Sequence, residues 1–345
     1  MGRAASGSKP VGIEDVARAA GVSITTVSHA MNGRGHVSVK TRERVREVAA
    51  SLGYAPNRIA SALRSQRSHI IGFVSDSIAT TPYAGRVVFG AQDAAAARGQ
   101  LLVVVNSNSD SAIETAQISA LMAQQVDAVI YARMFHRDSD TPAQLRSVPT
   151  VLIDTVDTAG VIPSVVPDEQ QIARLATQTL LDAGHTRIAH LTVATPGPAV
   201  DGRIEGYIAT MTDAGLEPVV VAPPGIGNAT AGREAFAQLA ASGGETPTAV
   251  FCFNDPMAMG VYQAAIRAGI GIPDDLSVIG VDDFLPVAAE LLPGLTTIAL
   301  PHYEMGVWAI DTALAMLDGA RAADAHVESR IAGRLVERGS VAPLA

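Results

Sequence analysis

With one cysteine in 345 residues the chain cannot make an internal disulfide, and Cys252, inside the apolar run AVFCF, reads as a reduced, buried thiol. Aromatic residues are also few, 4% against 48% hydrophobic, so the ample apolar surface is largely aliphatic and suffices for two or three globular units. No stretch approaches the ~20 uninterrupted apolar residues of a membrane span. The N-terminus MGRAASGSKPVGIEDV lacks the apolar core of a signal peptide, so the expected location is the cytoplasm. Strings of the GxGxxG, Walker A, G-x-S-x-G and HExxH kinds are missing, and His185 and His190 have no metal-ligand spacing. The expectation is a protein that is not an enzyme and needs no cofactor or metal.

What is present is unevenly distributed. Residues 1–69 hold 11 Lys+Arg against 4 Asp+Glu, net +7, whereas residues 70–345 hold 14 against 30, net −16. A small basic module on an acidic body follows from that asymmetry. The module opens with IEDVARAA, where Ile13, Val16, Ala17 and Ala20 fall on one helical face ended by Gly21. Ser23 is placed to cap a second helix, ITTVSHAM, which stops at Asn32 and Gly33; Ser38 repeats the device before VKTRERVREVAASLG, with an apolar stripe of Val45, Val48, Ala49 and Leu52. On the second helix Val27, Ala30 and Met31 share one face and Thr25, Ser28 and His29 the other, with Ile24 at its edge. Packed across a tight glycine turn, such a helix suits a helix-turn-helix, whose outward hydroxyls and methyls reach base edges and phosphates.

From Ile70 onward strand-like runs alternate with amphipathic helices: IIGFVS, LLVVVN, AVIYA, TVLID, RIAHLTV, AVFCFN and LSVIGVDD. Runs apolar on both faces indicate parallel sheets covered on both sides, here in two α/β subdomains. Ligands of such folds bind beyond the carboxyl ends of strands, where this chain places Ser75 and Asp76, Asn106, Asp154, Asn254 and Asp255, and Asp282 and Asp283. Each could simply cap the next helix. Together with Arg203, opening the helix RIEGYIATM, they could line a polar cleft suited to a polyhydroxylated ligand.

The segments IEDVARAAGVSITTVSHAMNG, HVSVKTRERVREVAASLGYAPNRIASALRS and IIGFV closely resemble the DNA-binding end of the LacI/GalR family of bacterial transcriptional regulators. AGHTRIAHL, AVFCFNDPMAMG, DDLSVIGVDD, LTTIALP and RLVERGS extend the resemblance through the body, which is similar to periplasmic sugar-binding proteins. The resemblance implies an all-α helix-turn-helix domain at 10–56, a hinge helix and linker at 57–69, and an effector-binding and dimerisation domain at 70–345. The last divides into an N-subdomain, about 70–163 and 295–326, and a C-subdomain, about 164–294 and 327–345. Ile24, Thr25 and His29 then read bases, while Ser28, Asn32, His36, Ser38 and Thr41 hold phosphates and Ser23 belongs to the same DNA-facing set. The family often has arginine where this chain has His29. Asn57, Arg58, Ala60 and Leu63 match the hinge helix, with Leu63 as a minor-groove wedge.

In the body Arg203, Asn254 and Asp282 fall on effector-contacting positions, joined by Asp76, Tyr83, Asn106 and Asp154; Leu300 stands where some relatives place a polar contact. The implied protein is a nucleoid-associated repressor, homodimeric on a palindromic double-stranded operator and controlled by a sugar, with a nucleobase as the alternative effector. The chain carries no trailing leucine heptad, so a dimer is expected rather than a tethered tetramer. A solute-binding protein of the same α/β fold is the alternative function, and the basic module argues against it.

Overall fold

The computed structural model describes residues 11–32, 35–54, 67–78, 81, 85–243, 246–320 and 328–344. The expected hinge residues Asn57, Arg58, Ala60 and Leu63, and Tyr83, lie outside them. The chain forms two compact units that part between Ser68 and His69.

The first unit consists of α1 (Ile13–Ala20), α2 (Ile24–Asn32) and α3 (Val39–Ser51). α1 ends because Gly21 adopts a left-handed φ of 62°, which lets the Val22 N–H turn back to the Ala17 carbonyl at 3.1 Å. α2 and α3 begin on the same arrangement. Ser23 Oγ accepts the Thr26 N–H at 3.1 Å and Ser38 Oγ accepts the Thr41 N–H at 3.2 Å, so each serine satisfies a backbone donor that has no partner within its helix. Val16, Ala17, Ala20, Val27, Ala30, Val45 and Ala49 close the core. Leu52, expected on that stripe, is exposed, because α3 ends at Ser51 and Leu52 is its C-cap.

The second unit runs β1 (Ile70–Ser75), α4 (Gly85–Ala97), β2 (Leu101–Asn106), α5 (Ser111–Ala123), β3 (Ala128–Ser139), β4 (Thr150–Asp157), β5 (Ser164–Pro167) and α6 (Glu169–Asp182). It continues with β6 (Ile188–Leu191), α7 (Pro198–Asp213), β7 (Val219–Val221), α8 (Ala229–Ala241), β8 (Ala249–Cys252), α9 (Asp255–Ala268) and β9 (Ser277–Asp282). Last come α10 (Leu285–Ala288), β10 (Thr296–Ala299), α11 (His302–Leu317), β11 (Glu328–Ile331) and β12 (Arg334–Val336).

Two sheets result. The first has the order β11-β5-β4-β3-β1-β2, all parallel; the second, β12-β10-β9-β8-β6-β7, is parallel except for β12 against β10. Each sheet is covered on both faces, which explains the continuous apolar runs. Phe73, Ile130 and Ile153 pack toward α4 and α11, and Val74, Val129 and Leu152 toward α5. In the second lobe Val250 and Cys252 face α8 and α9, while Phe251 and Ile279 face α6 and α7. Cys252 is buried and free, and burial pushes its thiol pKa up.

Strand pairing moves the expected subdomain boundaries at 163/164, 294/295 and 326/327. Ser164–Pro167 and Glu328–Ile331 add to the first sheet and Thr296–Ala299 to the second, so each crossing falls a few residues later in the chain. The reason is that these short segments complete the sheet they leave before the backbone changes lobe. β3 also outruns the AVIYA run. Its register against β4 slips after Ala132 and resumes at Arg137 opposite Thr155, an irregularity that re-aims the intervening side chains at the sheet's carboxyl end.

Candidate functional site

The second helix of the first unit divides as its pattern implies. Val27 and Ala30 are fully buried, Thr25 and His29 are exposed, Ser28 is half-buried and Ile24 is 47% exposed. His36, Ser38 and Thr41 lie on the adjoining turn and the start of α3; His36 and Ser38 are exposed and Thr41 is half-buried. Asn32 ends α2, and its side chain lies outside the described residues. The His29 ring packs on the turn that follows: at Gly35, φ 70°, a β-carbon would sit 2.5 Å from His29 Nδ1, so only glycine leaves the imidazole its place.

In the second unit a cavity of about 330 Å³ opens at the carboxyl ends of both sheets, between the lobes. Met134, Phe135, His136, Arg137 and Asp154 reach it from the first lobe; Arg203, Ile226, Phe253 and Asn254 reach it from the second. Glu169 and Leu300 line it where the chain crosses over. At its floor Arg203, 3% exposed, donates from Nε to Glu169 Oε2 at 2.8 Å and from Nη1 to the Phe253 carbonyl at 2.6 Å. The guanidinium lies 4.6 Å over the Phe253 ring. His136 Nδ1 approaches the other Glu169 oxygen at 3.6 Å, so this carboxylate joins side chains of the two lobes. Burial alone would raise the Glu169 pKa, but the Arg203 charge, with His136 adding to it, holds the carboxyl below the usual range. Asp154 lies 3% exposed at a left-handed φ of 55°, and burial first, then the Glu169 charge, push its carboxyl well above the ordinary value.

Of the expected effector residues, Asp154, Arg203 and Asn254 share this cavity. Asn254 also caps α9, its Oδ1 accepting the Met257 N–H at 2.9 Å while Nδ2 donates to the Gly227 carbonyl at 2.8 Å. Asp76 stands one residue back, its Oδ2 bound by Arg137 at 2.7 Å. Asn106 and Asp282 do not line the cavity: Asn106 accepts from the Ser75 hydroxyl at 2.7 Å, and Asp282 adjoins buried Asp255 at the end of β9. Glu169, His136, Arg137, Phe135 and Phe253 were not among the expected site residues. Glu169 is the counter-charge that the burial of Arg203 requires, and only the fold reveals that burial. Among the described residues no cluster of His, Cys, Asp or Glu fits a metal ion, and no helix is long and apolar enough to cross a membrane.

A helix-turn-helix followed by a two-lobed α/β unit with a cleft at its strand ends defines a DNA-binding regulator carrying a periplasmic-binding-protein-like sensor. Residues 12–57 match the model for bacterial regulatory proteins of the lacI family, and residues 177–341 match a periplasmic binding protein-like domain. The chain is 36% identical over 302 residues to the ribose operon repressor of Escherichia coli (strain K12), covering 87% of this chain and 91% of that protein. It is 33% identical over 304 residues to catabolite control protein A of Priestia megaterium, covering 87% and 90%. The lac repressor dimer bound to operator and the anti-inducer ONPF superposes with a TM-score of 0.74 at 29% identity, covering 97% of this chain and all of that one. A ribose-bound regulator from Enterococcus faecium superposes at 0.64 and 26% identity, over 80% of this chain and all of that one. The protein belongs to the lacI family of bacterial transcriptional regulators.

Proposed function

We propose that the protein is a cytoplasmic, nucleoid-associated repressor that binds a palindromic operator as a homodimer, one helix-turn-helix per half-site, and releases or grips it in response to a small molecule in the interlobe cleft. Ile24, Thr25 and His29 read base edges; Ser23, Ser28, Asn32, His36, Ser38 and Thr41 hold the backbone, and Asn57, Arg58, Ala60 and Leu63 form the hinge at 57–69. Residues 10–56 and 70–345 are the DNA-binding and the effector-binding, dimerising domains. The observation that carries the reading is the division of α2 into a buried apolar face and an exposed face of hydroxyls, methyls and one imidazole. A sugar is the effector the cleft suits, in keeping with relatives described as ribose operon repressors and with a ribose-bound neighbour; a nucleobase is the alternative.

The ligand acts by binding open and closed lobes with different affinity, since equal affinity shifts nothing. Gel shift with a palindromic fragment from upstream of the gene tests the proposal: a specific complex that weakens steeply with salt is expected. No specific complex under any ligand condition would refute it and favour a solute-binding protein. Leu63→Ala should weaken specific binding far more than non-specific binding, and equal losses would refute the wedge.

A further inference from the structure

We propose that the cleft takes an uncharged ligand, hydroxylated at its inner end and apolar at its outer end; this rests on the cleft being the effector site. Two guanidinium groups line the cavity, and both are already engaged by acids. Arg137 Nη2 binds Asp76 at 2.7 Å and Arg203 Nε binds Glu169 at 2.8 Å, with both carboxylates almost wholly withdrawn from solvent. A phosphate or carboxylate entering this space would give up its hydration beside Glu169 and find each lining arginine matched. A cationic ligand would compete with Arg203 for Glu169 and strand one charge. Burial and the neighbouring Glu169 charge shift Asp154 toward its protonated form, in which a carboxyl both donates and accepts, the pairing a hydroxyl needs.

The mouth has the opposite chemistry. Phe135, 65% exposed, and Ile226, 74% exposed, line the cavity from opposite lobes, with Phe253 and Leu300 farther along its wall. Large apolar side chains so open to water on both lips are covered most directly by an apolar portion of the ligand as the lobes close.

The test is calorimetric titration and thermal shift of the full chain with D-ribose, adenosine and phenyl glucoside, each beside its anionic counterpart: ribose phosphate, adenosine monophosphate and phenyl glucuronide. A neutral member should raise the melting temperature, and its anionic counterpart should bind about a hundredfold more weakly or not at all. Glu169→Gln, which leaves Arg203 without its counter-charge, should narrow that gap. Asp154→Asn should leave it unchanged, and Phe135→Ala should weaken phenyl glucoside more than ribose. Anions binding as tightly as their neutral partners, with Arg203→Ala abolishing both, would overturn the inference and leave the cleft reading standing. Binding untouched by Arg203→Ala, or silence from all six compounds, would overturn both. Should Glu169→Gln fail to fold, the wild-type pairs alone decide.

Discussion

The two units use polar residues in opposite ways. On α2, Thr25 and His29 stand in solvent on a helix held by Val27 and Ala30, so their chemistry is separable from the fold. In the cleft, Arg203, Glu169 and Asp154 are buried, come from three elements, and support the structure that holds them. The difference teaches that the exposed polar face of α2 can be altered residue by residue, whereas the buried polar residues of the cleft change only as a set.

The largest effect that would break this contrast is Arg203→Ala. Stranding Glu169 should lower stability by about 3–5 kcal/mol in urea unfolding and abolish the ligand response together. A double variant, Arg203→Met with Glu169→Leu, should recover most of that stability and remain blind to ligand, which separates the two roles. Acid comes next. Burial lowers the His302 pKa to about 4 and that of His190 to about 3, so below about 6.5 the unfolded chain takes up protons that the folded chain refuses. Stability should therefore fall as pH drops from about 6.5 toward 4, by on the order of 3 kcal/mol for His302. Asp154 acts with the opposite sign: its raised pKa favours the fold at low pH, and that contribution is lost as pH rises above the ordinary carboxylate range. Imidazole proton resonances of His302 and His190 that titrate at about 6.5 in the folded chain would show that these rings are not held neutral.

On the other side of the comparison, His29→Ala should flatten base preference at one operator position by about 1–3 kcal/mol while leaving the melting temperature alone. A large loss of stability would mean that the exposed face is structural after all. Smallest is Ser23→Ala, expected to cost about 1 kcal/mol of helix stability through the lost cap, read by urea unfolding of the full chain.

The same contrast explains what the sequence made legible. α1 to α3 were readable because caps, glycine stops and apolar spacing act within a few residues of one another, and β1 and β2 coincide with IIGFVS and LLVVVN. The strands Ser164–Pro167, Val219–Val221, Glu328–Ile331 and Arg334–Val336 carry no such signal, being too short to show a period. Asp154, Arg203 and Asn254 could be picked out because each flanks a recognisable apolar or helical run, although β4 continues past Asp154 to Asp157 and α7 begins at Pro198, ahead of Arg203. His136 and Arg137 could not, because MFHRDS reads as polar loop and becomes strand only through pairing with β4. Glu169 reads as an ordinary acid in the first turn of a helix; its meaning depends on Arg203, 34 residues away.

The backbone passes between the lobes three times, after Pro167, Ala299 and Ile331. These passages are laced together: the Asp168 N–H donates to the Ile331 carbonyl at 2.9 Å, and a β-carbon on Gly333 would lie 2.7 Å from Ile298 Cγ2. Mechanically this is a door hung on three pins in one jamb. Shear or twist of one lobe would stretch one pin against another, whereas a swing about the shared jamb would not. A β-carbon at Gly333 would press on both Ile172 and Ile298, so a side chain there would push directly on these passages.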